Sequence, residues 1–131
     1  SPTNTMVGER RPLHALASGK VILAEWDDEK RERFLEEKGL EEHAKNTITE
    51  PEALFEELDT IRERGYAIND EEYMDGLFGV AVPVYTPEDD FLGSLGLFGP
   101  GSRFTEEYIH EDIVDRLWDK AGEIKVTLAY G

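Results

Sequence analysis

The chain has 131 residues, of which 39% are hydrophobic and none is cysteine. This length suits one domain with a single core, and the lack of thiols excludes a disulfide framework, thiolate chemistry and cysteine-based zinc sites. The formal net charge of −16 opposes contact with a phosphate backbone, so the chain by itself is not expected to bind DNA.

The first predicted helix begins near Leu13. Apolar residues follow helical spacing from Leu13 to Ala24, and Pro12 suits a first turn. Residues 15–19 are nearly all small, and small residues on a helix permit close approach by another backbone or a ligand. The segment up to Pro12 contains turn formers without a period, so it is predicted as loop or as a fraying strand.

A second helix is predicted from Asp27 or Asp28, either of which can serve as the N-cap, to about Lys38. Gly39 follows at the position where helices often end in a left-handed residue. Both ends of this helix are therefore indicated by local sequence.

The segment "NTITEPEALFEELDTIRERG" predicts a third helix. Thr49 and Glu52 match a capping box, and Pro51 suits the first turn. Gly65 is predicted to end the helix. The apolar stripe comprises Leu54, Phe55, Leu58 and Ile61.

Strands are predicted at 66–68, 77–85 and 91–98, with a turn over 86–90. The last two contain Gly79, Gly93 and Gly96, and glycine in a strand commonly marks a bulge or a close approach to the backbone. Strands and helices do not alternate regularly, so the predicted class is α+β with a mostly antiparallel sheet.

A long final helix is predicted to begin at Thr105 as N-cap. Its apolar stripe comprises Ile109, Ile113, Leu117, Ala121, Ile124 and Leu128.

The acidic bend "NDEEYMD" allows more than one interpretation. Neighbouring carboxylates can bind a hard cation or act as catalytic acids, but the spacing and central glycine of a Ca²⁺ loop are missing. His14, His43 and His110 are isolated along the chain, and no nucleophile elbow surrounds Ser18. We interpret the bend as solvated, and we expect no metal site, no cofactor and no enzymatic activity.

Hydropathy and charge also bear on location. No apolar run is long enough to span a bilayer, and the N-terminus lacks the pattern of a secretion signal, so we expect a cytoplasmic protein without a membrane partner. An acidic surface on a folded core is tolerated in a high-salt cytoplasm, because salt screens the repulsion. We favour a halophilic source; an ordinary acidic domain is the alternative.

Four motifs together resemble the IclR family of transcriptional regulators: "LHA…GK", "NTIT", "RERGYA…DEE…G" and "GPGSR". The resemblance runs from about Gly8 to the C-terminus. It implies a GAF-like fold and a single effector-binding domain over residues 1–131. It also implies that the N-terminal part of this domain and a winged helix-turn-helix domain are missing from the chain, so that DNA is contacted only through that missing domain.

The resemblance further implies an effector pocket lined by seven positions: Ala17, Ser18, Asn69, Leu77, Gly79, Gly96 and Phe98. Family members often have Asp where Asn69 stands and small polar residues where Gly96 and Phe98 stand, which implies a pocket that is smaller, more apolar or occupied differently. Two interpretations of residues 16–18 stay open: their backbone N–H groups receive a carboxylate, or the residues serve only to pack against the sheet. Arg10 and Arg11 could add positive charge nearby.

The expected partners are a small organic effector, such as a carboxylate, and further copies of the chain in a homodimer or homotetramer. Two other functions remain open from the sequence. One is a stand-alone GAF-like domain that binds a small molecule or acts as an enzyme, and the other is an oligomerisation module.

Overall fold

The computed structural model describes residues 11–104 and 112–131. Within these residues, a 3₁₀ turn at Leu13–Ala15 is followed by four helices and three strands in the order α1, α2, α3, β1, β2, β3, α4. A second 3₁₀ turn, Gly101–Arg103, follows β3. Their bounds are Ala17–Glu25 for α1, Asp28–Glu37 for α2, Pro51–Arg64 for α3, Ala67–Asp70 for β1, Leu77–Tyr85 for β2, Phe91–Pro100 for β3 and Val114–Tyr130 for α4.

Within the described residues the strands form one antiparallel sheet in the order β1-β2-β3. The register places Asn69, Gly79 and Phe98 in one cross-strand row, and Ala67, Ala81 and Gly96 in the next row on the same face. The predicted α+β class with an antiparallel sheet is therefore confirmed. The pairing shifts between Val84 and Tyr85, opposite the start of β3, which places the predicted bulge beside Gly93.

The two faces of the sheet bury different cores. On one face, Ala67 and Ala81 lie under α1, whose Ala17, Val21 and Ala24 form a common cluster with α3. The small side chains of the sheet let the helix come close. On the other face, a second cluster includes Val80, Val82, Phe104, Val114 and Leu117, and brings α4 against the sheet. The sheet is thus covered by helices on both sides.

The helix predicted to begin at Leu13 is interrupted. Leu16 is extended, with φ −119° and ψ 141°, so Leu13–Ala15 is a separate turn and α1 begins at Ala17. The turn folds back over α1 so closely that a Cβ on Gly19 would lie 2.3 Å from the carbonyl oxygen of Leu13. The helical spacing of the apolar residues could not reveal this break. The break goes with the contact between the turn and Gly19, which the missing side chain of Gly19 allows.

The caps of α2 and α3 differ in how well they were predicted. Asp27 caps α2 by accepting a hydrogen bond from Lys30 N at 2.8 Å, as predicted. Gly65 ends α3 with φ 85°, also as predicted. The capping box of α3 is wrong: the N-cap is Glu50, extended at φ −111° and ψ 127°. A residue before proline avoids the helical region, so Pro51 begins the helix and shifts the cap away from Thr49.

The final helix packs along only part of its predicted stripe. Ile113 and Leu117 are buried and Ala121 is half-buried, but Ile124 and Leu128 are exposed. Thr105 and Ile109, the predicted beginning of this stripe, lie outside the described residues. Among the helices of residues 11–104 and 112–131, none is both long enough and apolar enough to cross a membrane.

Candidate functional site

A cavity of about 460 Å³ lies between the start of α1 and the β2–β3 hairpin. All seven positions predicted for an effector pocket line it: Ala17, Ser18, Asn69, Leu77, Gly79, Gly96 and Phe98. The structure thus brings together residues from four separate parts of the chain. Their role in binding an effector stays a prediction.

Two glycines shape the sheet side of the cavity in different ways. A Cβ on Gly96 would lie 2.6 Å from the carbonyl oxygen of Val80 and 2.9 Å from the Cβ of Ala81, so no other residue fits there without a shift of the backbone. This confirms the predicted close approach. A Cβ on Gly79 would have its nearest neighbour, the Cβ of Phe98, at 3.4 Å, so glycine at this position leaves open space in the cavity.

Phe98 lies at the rim. The exposed fraction of this residue is 76%, so its ring does not fill the cavity. The expected smaller, more apolar or differently occupied pocket stays a prediction. Phe98 lies on β3, an edge of the sheet that the described residues form, and its exposure could not be read from the sequence alone.

The helical side of the cavity is the first turn of α1. The first intrahelical hydrogen bond runs from Lys20 N to Leu16 O at 2.9 Å, so the N–H groups of Ala17, Ser18 and Gly19 precede it. No side chain among the described residues caps this end. Unpaired N–H groups and the helix dipole together favour an anion here. Arg11 lies exposed at the same cavity, whereas Arg10 is outside the described residues.

Asn69 is more deeply engaged than its predicted role suggests. It is only 2% exposed, its Nδ2 donates to the carbonyl oxygen of Ala15 at 2.8 Å, and its Oδ1 accepts from Glu72 N at 3.0 Å. An ionised aspartate could not make the first of these bonds, because a carboxylate has no hydrogen to donate. Asparagine therefore ties the turn before α1 to the acidic bend as well as lining the cavity.

The interpretation of the acidic bend as solvated is wrong for Glu72, which is 8% exposed. Its Oε1 accepts a hydrogen bond at 2.7 Å from Lys20 Nζ, and Lys20 is fully buried. Burial raises the pKa of Glu72, and the neighbouring ammonium opposes that rise. The pairing joins positions 52 residues apart, so local sequence could not reveal it; the available signal was a lysine among the small apolar residues of α1.

Glu71, in contrast, lies at the surface of the bend. Its Oε2 pairs with Lys45 Nζ at 3.1 Å, and its Oε1 accepts from Gly76 N at 2.8 Å. These hydrogen bonds lower the pKa of the Glu71 carboxyl group, with the bond from Gly76 contributing most. No group of three or more His, Asp or Glu side chains in the described part of the chain could hold a metal ion.

Sequence reasoning also missed several residues that line the cavity. Tyr73 lies in the bend, and Val80 and Ala81 contribute from the middle of β2. The strand residues alternate between faces, so only the register of the folded sheet shows which of them come near a cavity.

Comparisons with known proteins agree with this architecture. The family described as "Bacterial transcriptional regulator IclR C-terminal" matches residues 2–126. The C-terminal domain of the E. coli transcriptional regulator KdgR is 36% identical with a TM-score of 0.83, and the match covers 96% of this chain and 76% of that chain. The inducer-binding domain of PobR from Acinetobacter, solved as a double mutant in complex with 3-hydroxybenzoic acid, is 30% identical with a TM-score of 0.84, covering 90% and 67%.

A relative from a haloarchaeon is also similar. The probable HTH-type transcriptional regulator ArcR of Halobacterium salinarum is 32% identical over 118 residues, which is 90% of this chain and 45% of that protein. The chain spans about half the length of the curated relatives it matches.

The fold is that of a regulatory domain that binds a small molecule. Because the family match covers nearly the whole chain, the chain belongs to the IclR C-terminal family. It is an effector-binding C-terminal domain of the IclR type, which confirms the resemblance seen in the four sequence motifs.

Proposed function

We propose that this domain senses a small organic acid and thereby regulates DNA binding by a longer transcriptional regulator. The observation that carries the proposal is the cavity of about 460 Å³, which meets the uncapped N-terminus of α1. The likeness to an inducer-binding domain solved with 3-hydroxybenzoic acid supports this class of ligand. Which acid the domain takes is not implied by that likeness.

The geometry suggests how such an acid is held. Its carboxylate accepts hydrogen bonds from the N–H groups at the start of α1 and lies beside the hydroxyl of Ser18. Its apolar part lies over the backbone at Gly79, where a Cβ would have room. The seven predicted positions are the effector-binding residues in this proposal.

The net charge and the exposed apolar side chains bear on two further parts of the proposal, namely how DNA is contacted and how subunits associate. A net charge of −16 makes the domain itself a poor partner for DNA, so a winged helix-turn-helix domain outside this chain makes that contact. Effector binding then shifts the arrangement of subunits in a homodimer or homotetramer. Exposed apolar side chains on α4, namely Val126, Leu128 and Tyr130, support self-association.

The remaining parts of the proposal concern setting and chemistry. The domain works in the cytoplasm, has no enzymatic activity and needs no cofactor. The acidic composition and the relative from Halobacterium salinarum support a haloarchaeal source.

The direct test is ligand binding in 2 M KCl. A panel of benzoate, 3-hydroxybenzoate, pyruvate and their uncharged amides is screened by thermal shift and then by calorimetry. A ligand that binds only the folded state raises its melting temperature. We expect at least one acid to bind and its amide to bind at least tenfold more weakly, since the amide lacks the charge that the start of α1 favours.

Two glycine variants serve as a matched pair. Gly79→Val adds methyl groups inside the cavity at a position with room for a Cβ, whereas Gly93→Ala adds a methyl group that meets nothing within 4 Å and lies away from the cavity. We expect Gly79→Val to abolish the thermal shift and Gly93→Ala to retain it. A panel without any binder, together with a stable oligomer in sedimentation, would instead favour the oligomerisation module.

A further inference from the structure

Lys20 lies near the middle of α1, and its side chain is 0% exposed. Its ammonium donates three hydrogen bonds, to Glu72 Oε1 at 2.7 Å, to the carbonyl oxygen of Ile68 at 2.6 Å and to Glu57 Oε2 at 3.0 Å. Three donors meet three acceptors, so the group is fully satisfied. The acceptors belong to the bend, to β1 and to α3, respectively.

The hydrogen bonds continue from Glu72 to the wall of the cavity. Glu72 Oε2 accepts from Asp70 N at 3.0 Å, and Glu72 N donates to Asn69 Oδ1 at 3.0 Å. Asn69 in turn donates to the carbonyl oxygen of Ala15, in the turn before α1. Asn69, a member of this network, and Tyr73, which follows Glu72 in the chain, both line the cavity.

We propose that Lys20 is the positioning residue of the cavity: its ammonium holds the bend over residues 69–73 against α1 and so sets where Asn69 and Tyr73 stand. Lys20 does not itself line the cavity, so it acts through these two residues. The proposal rests on the proposed function only in taking this cavity as the effector site.

A purely structural ion pair is the alternative. Buried ion pairs contribute little net stability in general, because loss of hydration offsets the attraction. An apolar side chain of similar length would fill the same space without fixing the bend. The ammonium also opposes the rise in the pKa of Glu72 that burial causes, and so favours the carboxylate that accepts from Asp70 N. Lys20 therefore contributes more to the position of the bend than to the stability of the fold.

The test compares Lys20→Met with Lys45→Met by amide hydrogen exchange, without ligand. Lys45 is the matched control, since it pairs with Glu71 in the same bend but lies at the surface. In Lys20→Met we expect the amides of Asp70 and Glu72 to exchange at least about tenfold faster, the size of effect that loss of a charge-assisted hydrogen bond produces. Amides of Val80 and Val82 in β2 should stay within about twofold, as should every amide in the control.

Glu72→Gln keeps the shape of the side chain and decides the question alone if Lys20→Met does not fold. A local rise in exchange in either variant supports the proposal. An equal rise in β2, which a structural ion pair would cause, overturns it, and so does an unchanged bend. These readouts need no ligand, so they remain decisive even if no acid in the panel binds and the proposed function fails.

If a panel acid does bind the wild-type protein, its dissociation constant adds a second readout. We expect Glu72→Gln to raise that constant at least about tenfold, and Lys45→Met to leave it within about twofold. Equal affinities in the wild type and Glu72→Gln would overturn the positioning role.

Discussion

Gly19 shows how one residue can decide where the turn before α1 lies. Its missing side chain is what lets the turn at Leu13–Ala15 lie on α1, since a Cβ would come within 2.3 Å of the carbonyl oxygen of Leu13. The obstacle is backbone, which cannot rotate away as a side chain can. Any residue with a Cβ must therefore displace the turn.

We expect Gly19→Ala to lower the free energy of unfolding by about 3 kcal/mol, at the upper end of what overpacking usually costs. Urea denaturation in 1 M KCl measures the change. The control is Gly122→Ala, in α4, where a Cβ meets nothing within 4 Å. Removing that exposed helical glycine should raise stability by about 0.5–1 kcal/mol. Equal effects of the two variants would contradict the close contact.

Tyr85 makes the stability of the folded protein depend on pH in the alkaline range. Its hydroxyl donates to Glu25 Oε2 at 2.5 Å, and the same carboxylate pairs with Arg62 at 2.7 Å. Burial, together with Glu25, raises the pKa of Tyr85 to about 12 from an ordinary value of 10.0. The folded state therefore holds this proton more tightly than the unfolded state, and the resulting stability is present below pH 10 and lost as the pH rises towards 12.

Urea unfolding at several values between pH 9 and 12 should show a steeper loss of stability for the wild type than for Tyr85→Phe. Tyr130, which is 89% exposed, provides the control: Tyr130→Phe should follow the wild-type curve. Parallel curves for the wild type and Tyr85→Phe would show that the phenol does not contribute to the pH dependence.

At the scale of elements, α2 and α3 begin in different ways. Asp27 accepts a hydrogen bond from Lys30 N at the start of α2, whereas no side chain of the described residues caps α3. An N-cap bond satisfies one of the donors that a helix leaves unpaired. Substitution of the N-cap residue would therefore remove a side-chain hydrogen bond from α2, whereas in α3 there is no such bond to remove.

We expect Asp27→Ala to cost about 1 kcal/mol of unfolding free energy, because that is the usual value of such a cap. Thr49→Ala, at the position where the sequence wrongly indicated a cap, should change stability by less than about 0.5 kcal/mol. Chemical denaturation of both variants gives the comparison. A larger loss in Thr49→Ala than in Asp27→Ala would contradict the observed cap geometry.

These elements also show what the sequence could reveal. Asp27 and Gly65 act through neighbours in the chain, so local rules place them correctly. The break at Leu16 and the burial of Glu72 depend on segments that meet only in the folded protein. The cavity was located through small residues and through resemblance. Its link to Lys20 was not, because the one local signal was a lysine among small apolar residues, and the partner Glu72 lies 52 residues away.

At the scale of the whole molecule, the 30 acidic residues outnumber the 14 basic ones. Many of these acids lie exposed on the helices, including Glu29, Glu32 and Glu36 of α2. The screening length grows from about 3 Å at 1 M salt to about 30 Å at 0.01 M. Like charges across the whole domain therefore repel at low salt, and the compact state loses stability relative to the unfolded chain.

We expect the melting temperature to rise steadily with KCl into the molar range, and to rise further with sulfate at equal ionic strength, because sulfate also strengthens apolar burial. The triple variant Glu29→Gln, Glu32→Gln and Glu36→Gln should show a shallower rise. Scanning calorimetry across the salt series measures both. A flat or falling melting temperature would argue against a halophilic protein and for a basic partner.

The helices on both faces of the sheet have a consequence for spectroscopy. The two tryptophans of the chain lie on opposite sides: Trp26 packs edge-on against Phe34 beside α1, and Trp118 contacts Tyr66 and donates to the carbonyl oxygen of Gly65 beside α4. With Trp26→Phe or Trp118→Phe, the remaining indole reports the emission of one layer alone. Coincident transitions would mean that both layers unfold as one unit. An earlier change in the emission of Trp26 would mean that the layer bearing the cavity opens while the emission of Trp118 in the other layer is still unchanged.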